Sequence, residues 1–150
     1  MAVKSMSESG VGPPRICKTQ ILLGILFLAV TGWKVAGSVP DIPKFVLVLA
    51  PHTSNWDLPF ILAVMYGLGL KINWFGKKEL FPWPVGSVFK WLGGIPIDRS
   101  SRQNMVQQTA QMIWEREQIV VGIAPEGTRS QSRHWSTGFY YIANLAQVPI

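Results

Sequence analysis

The stretch KFVLVLAPHTSNWDLPFILAVMYGLGL, residues 44–70, changes period in the middle. From Lys44 to Ala50 the side chains are apolar without polar alternation, as in a strand covered on both faces. Pro51 ends that run, Ser54 is a good N-cap, and a helix over Trp56–Leu70 then carries Leu58, Ile61, Leu62 and Met65. This reading puts Asp57 at the third helical position, five residues after His52. Five steps set two side chains on opposite faces of a strand, and roughly 140° apart around a helix. His52 and Asp57 can therefore meet only across the bend between the two elements.

The same alternation continues down the chain. Strands are expected at Ile72–Phe75, Ile95–Ile97 and Ile119–Ala124, and helices at Val85–Leu92, Ser101–Glu117 and Thr137–Ala146. In the helix from Ser101, the side chains of Met105, Thr109, Met112, Ile113 and Arg116 share one face. The closing residues, QVPI, read as the opening of one more strand, which suggests a domain incomplete at its C-terminus. Apolar strands separated by helices imply an α/β fold, with a largely parallel or mixed sheet flanked by helices. The domain occupies residues 40–150.

Residues 1–14 are small, polar and rich in Gly and Pro, the composition of a disordered tail. Arg15 and Lys18 then precede ILLGILFLAVTGW, residues 21–33, which carries no charge. As a helix this run rises roughly 20 Å, against about 30 Å of bilayer hydrocarbon. A tilted span from Ile21 to Val39 remains open if Lys34 snorkels. Trp33 and Lys34 suit a signal-peptide cleavage site poorly. Residues 15–39 are therefore expected to form an uncleaved membrane-attaching helix.

The 150 residues are 48% hydrophobic, enough for one core, and carry a formal net charge of +6. That charge favours nucleic acid, anionic lipid or phosphorylated small molecules. The basic residues are scattered, with no basic helix or zinc pattern, which argues against nucleic acid. The aromatic run WFGKKELFPWPVGSVFKWLGG, residues 74–94, fits either a membrane interface or a core with some exposed rings. Cys17 is the single cysteine, so an internal disulfide is excluded and no metal site is expected. A hydrolase with Ser54 or another serine as nucleophile is a further reading, but no Gly-x-Ser-x-Gly elbow occurs and Ser54 is better used as the cap.

Three stretches could carry chemistry, and each follows an expected strand, where open α/β sheets place their ligand crevices. In HTSNWD, Asp57 could orient His52 as a general base, or Ser54 and Asp57 could simply cap the helix. In APEGTRSQSR, residues 124–133, Thr128, Arg129 and Ser130 suit a phosphate; the alternative is a polar loop with Glu126 paired to Arg129 or Arg133. In GGIPIDRSSR, residues 93–102, Arg99 either faces the same crevice or, with Asp98, caps the next helix.

Taken together and in this order, HTSNWD, GGIPIDR and APEGTRS resemble the motif set of the glycerolipid acyltransferases, the glycerol-3-phosphate and 1-acylglycerol-3-phosphate acyltransferase family. The resemblance runs on through WSTGFYYIANLAQVPI and covers about residues 44–150. It implies that His52 and Asp57 form the family's His-x4-Asp catalytic pair. It also implies that Arg99, Glu126, Gly127, Thr128 and Arg129 hold the acceptor, chiefly its phosphate. The donor would be acyl-CoA or acyl-carrier protein, used as a co-substrate with no tightly bound cofactor. The acceptor would be a lysophospholipid or a glycerol phosphate, at a phospholipid membrane, with the active site facing the cytoplasm. Pro51 and Ala124 depart from the Asn and Phe that many members carry there. A non-catalytic lipid-binding protein on the same scaffold is the competing expectation.

Overall fold

The computed structural model describes residues 11–52, 54, 56–97, 102–127 and 134–150. Helix α1 (Lys18–Thr31) leads into strand β1 (Lys44–Val48), helix α2 (Asp57–Gly67) and strand β2 (Ile72–Lys77). Helix α3 (Val85–Trp91), strand β3 (Gly94–Ile97), helix α4 (Arg102–Glu115), strand β4 (Ile119–Ile123) and helix α5 (Gly138–Ala146) follow. The protein is an α/β fold whose four strands form one parallel sheet in the order β1-β4-β2-β3. Strand β4 thus enters last and pairs on both sides, with β1 and with β2.

The two faces of the sheet carry separate cores, as the period of two requires. On one face Phe45, Ile72 and Val120 pack with Leu62, Met65 and Tyr66 of α2. On the other, Val46, Ile119 and Val121 pack with Ala110 and Ile113 of α4 and with Ile142, Ala143 and Ala146 of α5. Neighbouring residues of one strand therefore serve opposite cores, which explains the absence of polar alternation. In α4 the buried face centres on Thr109, Ala110 and Ile113, while Arg116 is exposed and lies beyond the helix end.

Several boundaries differ from the expected ones for local reasons. Helix α2 stops at Gly67 rather than Leu70, because Gly69 takes a left-handed φ of 69°. Gly69 N–H donates to Tyr66 O (2.9 Å) and Leu70 N–H to Met65 O (2.8 Å), the pair of bonds of a Schellman stop. The C-terminal QVPI does lie beside β1, with Val46 N–H donating to Pro149 O (2.9 Å), but it forms no strand. The aromatic run divides: Trp74, Phe81 and Phe89 pack ring against ring, whereas Trp83 and Trp91 stand exposed.

Helix α1 is shorter than the expected 15–39 element. It ends at Thr31, where Gly32 takes φ 72° and caps it, so no single helix extends to Val39. Among the described residues no helix is long and apolar enough to cross a membrane. Ahead of it Pro13 and Pro14 are buried, and Pro14 O accepts from Lys71 N–H (2.9 Å). α1 lies antiparallel along α2, Gln20 meeting Tyr66 at one end and Phe27 and Trp33 meeting Phe60 at the other.

Gly24 sets how closely the two helices approach. A Cβ there would lie 2.6 Å from Tyr66 Cβ and 2.8 Å from both Ala63 O and Gly67 N. Gly24→Ala gains about 1 kcal/mol in helix propensity, but it forces a contact against backbone that costs about 1–3 kcal/mol. We expect Gly24→Ala to lower the melting temperature and to expose α1 to limited proteolysis. An unchanged melt and digestion pattern would show that α1 is not seated through this contact.

Candidate active site

The site grows from the register of the two strands at one side of the sheet. Val48 of β1 lies opposite Ile123 of β4, and Leu49 N–H donates to Ile123 O (3.0 Å) just beyond. Both chains leave the sheet at the same level and in the same direction, so the segments that follow must run side by side. His52 follows β1 by four residues and Glu126 follows β4 by three. They meet: His52 N–H donates to Glu126 Oε1 across 3.4 Å.

The bend after β1 is built by short-range hydrogen bonds. Ser54 N–H donates to Asp57 Oδ2 (2.7 Å), Ser54 Oγ accepts from Trp56 N–H (3.1 Å), and Asp57 N–H donates to Ser54 O (3.3 Å). The carboxylate reaching back to the N–H three residues earlier is one half of a capping box. Hydrogen bonding starts the helix at Asp57, however, with Trp56 at the cap position. Asp57 is therefore the first helical residue, not the third, and Ser54 organises the turn before it. In that place the carboxylate is also favoured by the α2 dipole.

This turn carries Asp57 back to the histidine. His52 Nδ1 lies 3.4 Å from Asp57 Oδ2, with the two side chains 26% and 24% exposed. That distance satisfies an ion pair but exceeds the usual 2.7–3.2 Å of an N–H···O bond. Nδ1 accordingly has no hydrogen bond of good geometry, while the same Oδ2 accepts from Ser54 N–H. Catalytic hydrogen bonds are often long before substrate binds, so this distance is compatible with a catalytic pair. Capping and pairing are done by one oxygen.

On the β4 side, Gly127 N–H donates to Ala124 O (3.3 Å) and Ser136 N–H to Pro125 O (2.7 Å), with Pro125 fully buried. These bonds fix Glu126 from both directions along the chain. Its second oxygen, Oε2, is buried and lacks a hydrogen-bond partner among the described residues. A donor reaching that oxygen would recover about 1–3 kcal/mol. Gly127 closes the turn and is exposed. Arg99, Thr128 and Arg129 lie outside the described residues. Of the expected site residues the structure thus brings together His52, Asp57 and Glu126.

The bond from His52 N–H to Glu126 is what sequence reading missed. Glu126 was expected to hold the acceptor or to pair with an arginine, and the backbone of a residue 74 positions away leaves no mark in local pattern. Only the order of the strands could have suggested it. Among the described residues no group of three or more His, Cys, Asp or Glu side chains could hold a metal.

A strand-to-helix bend that presents a histidine–aspartate pair at the C-terminal end of a parallel sheet suits proton abstraction from a hydroxyl. A family model described as Acyltransferase matches residues 37–150, which takes in every element from β1 to α5. The chain belongs to that family, the glycerolipid acyltransferases. Neither curated proteins nor solved structures contain a significant match to it.

Two substitutions separate the roles within the site. Asp57→Asn keeps an oxygen for Ser54 N–H but loses the charge beside His52, so acyl transfer should fall by about 10²–10⁴-fold with the melting temperature nearly unchanged. Turnover within a fewfold of wild type would take Asp57 out of the chemistry. Glu126→Gln preserves an acceptor for His52 N–H, and Glu126→Ala does not. If Glu126 positions the histidine, Ala should lower kcat while Gln restores most of it; equal rises in KM for the acceptor in both variants would instead assign it to substrate binding alone.

Proposed function

We propose that this acyltransferase moves a fatty acyl chain from acyl-CoA or acyl-carrier protein to a hydroxyl of a glycerolipid or lysophospholipid, in phospholipid synthesis at a membrane. The approach of His52 Nδ1 to Asp57 Oδ2, at 3.4 Å, is the observation that carries the reading. With Nδ1 engaged by the carboxylate, the other ring nitrogen takes the proton of the acceptor hydroxyl. The oxygen then attacks the thioester carbonyl, the carbon–sulfur bond breaks, and the thiolate recovers the proton from the imidazolium. An ester and a free thiol leave, with no acyl-enzyme formed. Asp57 offsets the positive charge that His52 carries between the two transfers.

The acceptor is held on the β4 side. Glu126 Oε2, buried and without a partner among the described residues, can accept a hydrogen bond from a glycerol hydroxyl. By the family motif, Arg99, Thr128 and Arg129 take the phosphate, the guanidinium groups binding two oxygens at once. Gly127 lets the chain turn at that point. The donor thioester is a co-substrate, and no tightly held cofactor enters the chemistry.

Membrane attachment is supported by the surface of α1. One stripe of the helix, with Gly24 and Leu28 buried, packs on α2, while Leu22, Leu23, Ile25, Leu26 and Val30 are half exposed or more. Such a helix is as apolar outward as inward, a pattern suited to lipid contact. A helix of fourteen residues suits a place on, or partly within, one leaflet; by the family resemblance, the active site would face the cytoplasm.

Labelled acyl-CoA or acyl-carrier protein, supplied with a panel of lysophospholipids, glycerol 3-phosphate and non-phosphorylated acceptors, tests this reading by mass spectrometry of the lipid products. Transfer to a phosphate-bearing acceptor, abolished in His52→Ala, is expected. No product from any combination would favour a lipid-binding protein on an acyltransferase scaffold.

A further inference from the structure

A second concave site lies at the other end of the sheet. It is a cleft of about 190 Å3 lined by Arg15, Gln20, Tyr66, Lys71 and Trp91, among others. Lys71 precedes β2 and the adjoining Gly93 precedes β3, so the cleft opens at the N-terminal ends of the strands. His52 follows the C-terminal end of β1. The cleft is therefore no part of the catalytic crevice.

Its walls are built from three segments tied to one another. Lys71 N–H donates to Pro14 O (2.9 Å), Ile16 N–H donates to Gly69 O (3.4 Å), and Arg15 forms an antiparallel bridge with Leu70. These bonds set the two cations on adjacent stretches of chain. No carboxylate lines the cleft, and neither Arg15 nor Lys71 has an acidic partner within 4.0 Å among the described residues. Deeper in, Gln20 Oε1 accepts from Cys17 N–H (3.4 Å), and Gln20 Nε2 donates to Tyr66 Oη (3.4 Å). The Tyr66 O–H is left as a donor. Burial pushes the Tyr66 phenol up from its ordinary value, against the opposing effect of the Gln20 hydrogen bond, so that donor persists at neutral pH.

Two cations with no acidic partner among the described residues, beside a neutral hydroxyl donor, select an anion with several oxygens. Trp91 stands at the rim, 61% exposed, and the first outward apolar residues of α1, Leu22 and Leu23, come one helical turn beyond the cleft residues Cys17 and Gln20. An indole beside an apolar helix face and a cationic cleft matches the boundary between headgroups and acyl chains. The geometry points to a binding site for the phosphate of an anionic phospholipid headgroup, held by Arg15, Lys71 and Tyr66 with Trp91 against the lipid. This inference rests on the membrane reading given above.

The test is co-sedimentation of the full chain with phosphatidylcholine vesicles, with and without phosphatidylglycerol, alongside Trp fluorescence titrated with inorganic phosphate. Phosphatidylglycerol should strengthen binding of the wild type. The double variant Arg15→Gln, Lys71→Gln should bind anionic vesicles roughly 25-fold less well, at about fivefold per cation near the surface, and still bind phosphatidylcholine. Both side chains are exposed, so its circular dichroism spectrum should match the wild type. The pair Lys18→Gln, Lys34→Gln removes equal charge outside the cleft and should cost less than about fivefold. Equal losses in the two double variants, or none in the first, would overturn the cleft while leaving membrane attachment intact. Inorganic phosphate saturating the cleft and matching the effect of vesicles would make the ligand a soluble anion and overturn the lipid assignment. Wild type that sediments with neither vesicle removes the membrane reading and the headgroup site together.

Discussion

Everything at the catalytic end depends on β4 pairing with β1 so that Val48 meets Ile123. A parallel pair releases both chains at the same edge, and here neither chain has more than four residues in which to diverge before His52 and Glu126. Sliding β4 by one residue would turn Val120 toward the α4 side and Ile119 and Val121 toward α2. Those three side chains are fully buried in opposite cores, so the register is held by the apolar packing of both faces. The catalytic geometry is in this sense a by-product of core packing that occurs several residues away.

The strands and helices were legible because each is a continuous apolar run or a stripe of the right period. The strands and helices expected between Lys44 and Ala146 are present, with ends shifted by one to three residues, whereas the strand expected to open at QVPI does not form. The strand order was not legible: nothing local says that β4 inserts between β1 and β2, and a sheet in chain order would satisfy the same hydrophobic pattern. The His52–Asp57 encounter could be read from its spacing, since only a bend allows it. The Glu126 bond to His52 could not, because it follows from strand order. The 15–39 helix came out too long for a related reason. Composition reports that a segment is apolar, whereas the left-handed Gly32 decides where the helix stops.

The bend also makes the two readings of HTSNWD compatible. A helix cap and a catalytic pair need not compete, since Asp57 Oδ2 faces both Ser54 N–H at 2.7 Å and His52 Nδ1 at 3.4 Å. The shorter bond is to backbone and holds the carboxylate whether or not the histidine is charged. A carboxylate anchored in that way would cost little reorganisation if His52 took up a proton, which is the condition for useful electrostatic stabilisation.

Helix α2 links this pair to the outer surface. Asp57 is its first residue, and Ala63 and Gly67, which receive Gly24 of α1, follow within the same short helix, Ala63 roughly 9 Å along the axis. One short helix therefore joins the close α1 contact to the bend that holds Asp57. The residue at position 24 then has a role that helix propensity alone would not suggest: glycine, lacking a side chain, lets α1 approach the backbone of α2.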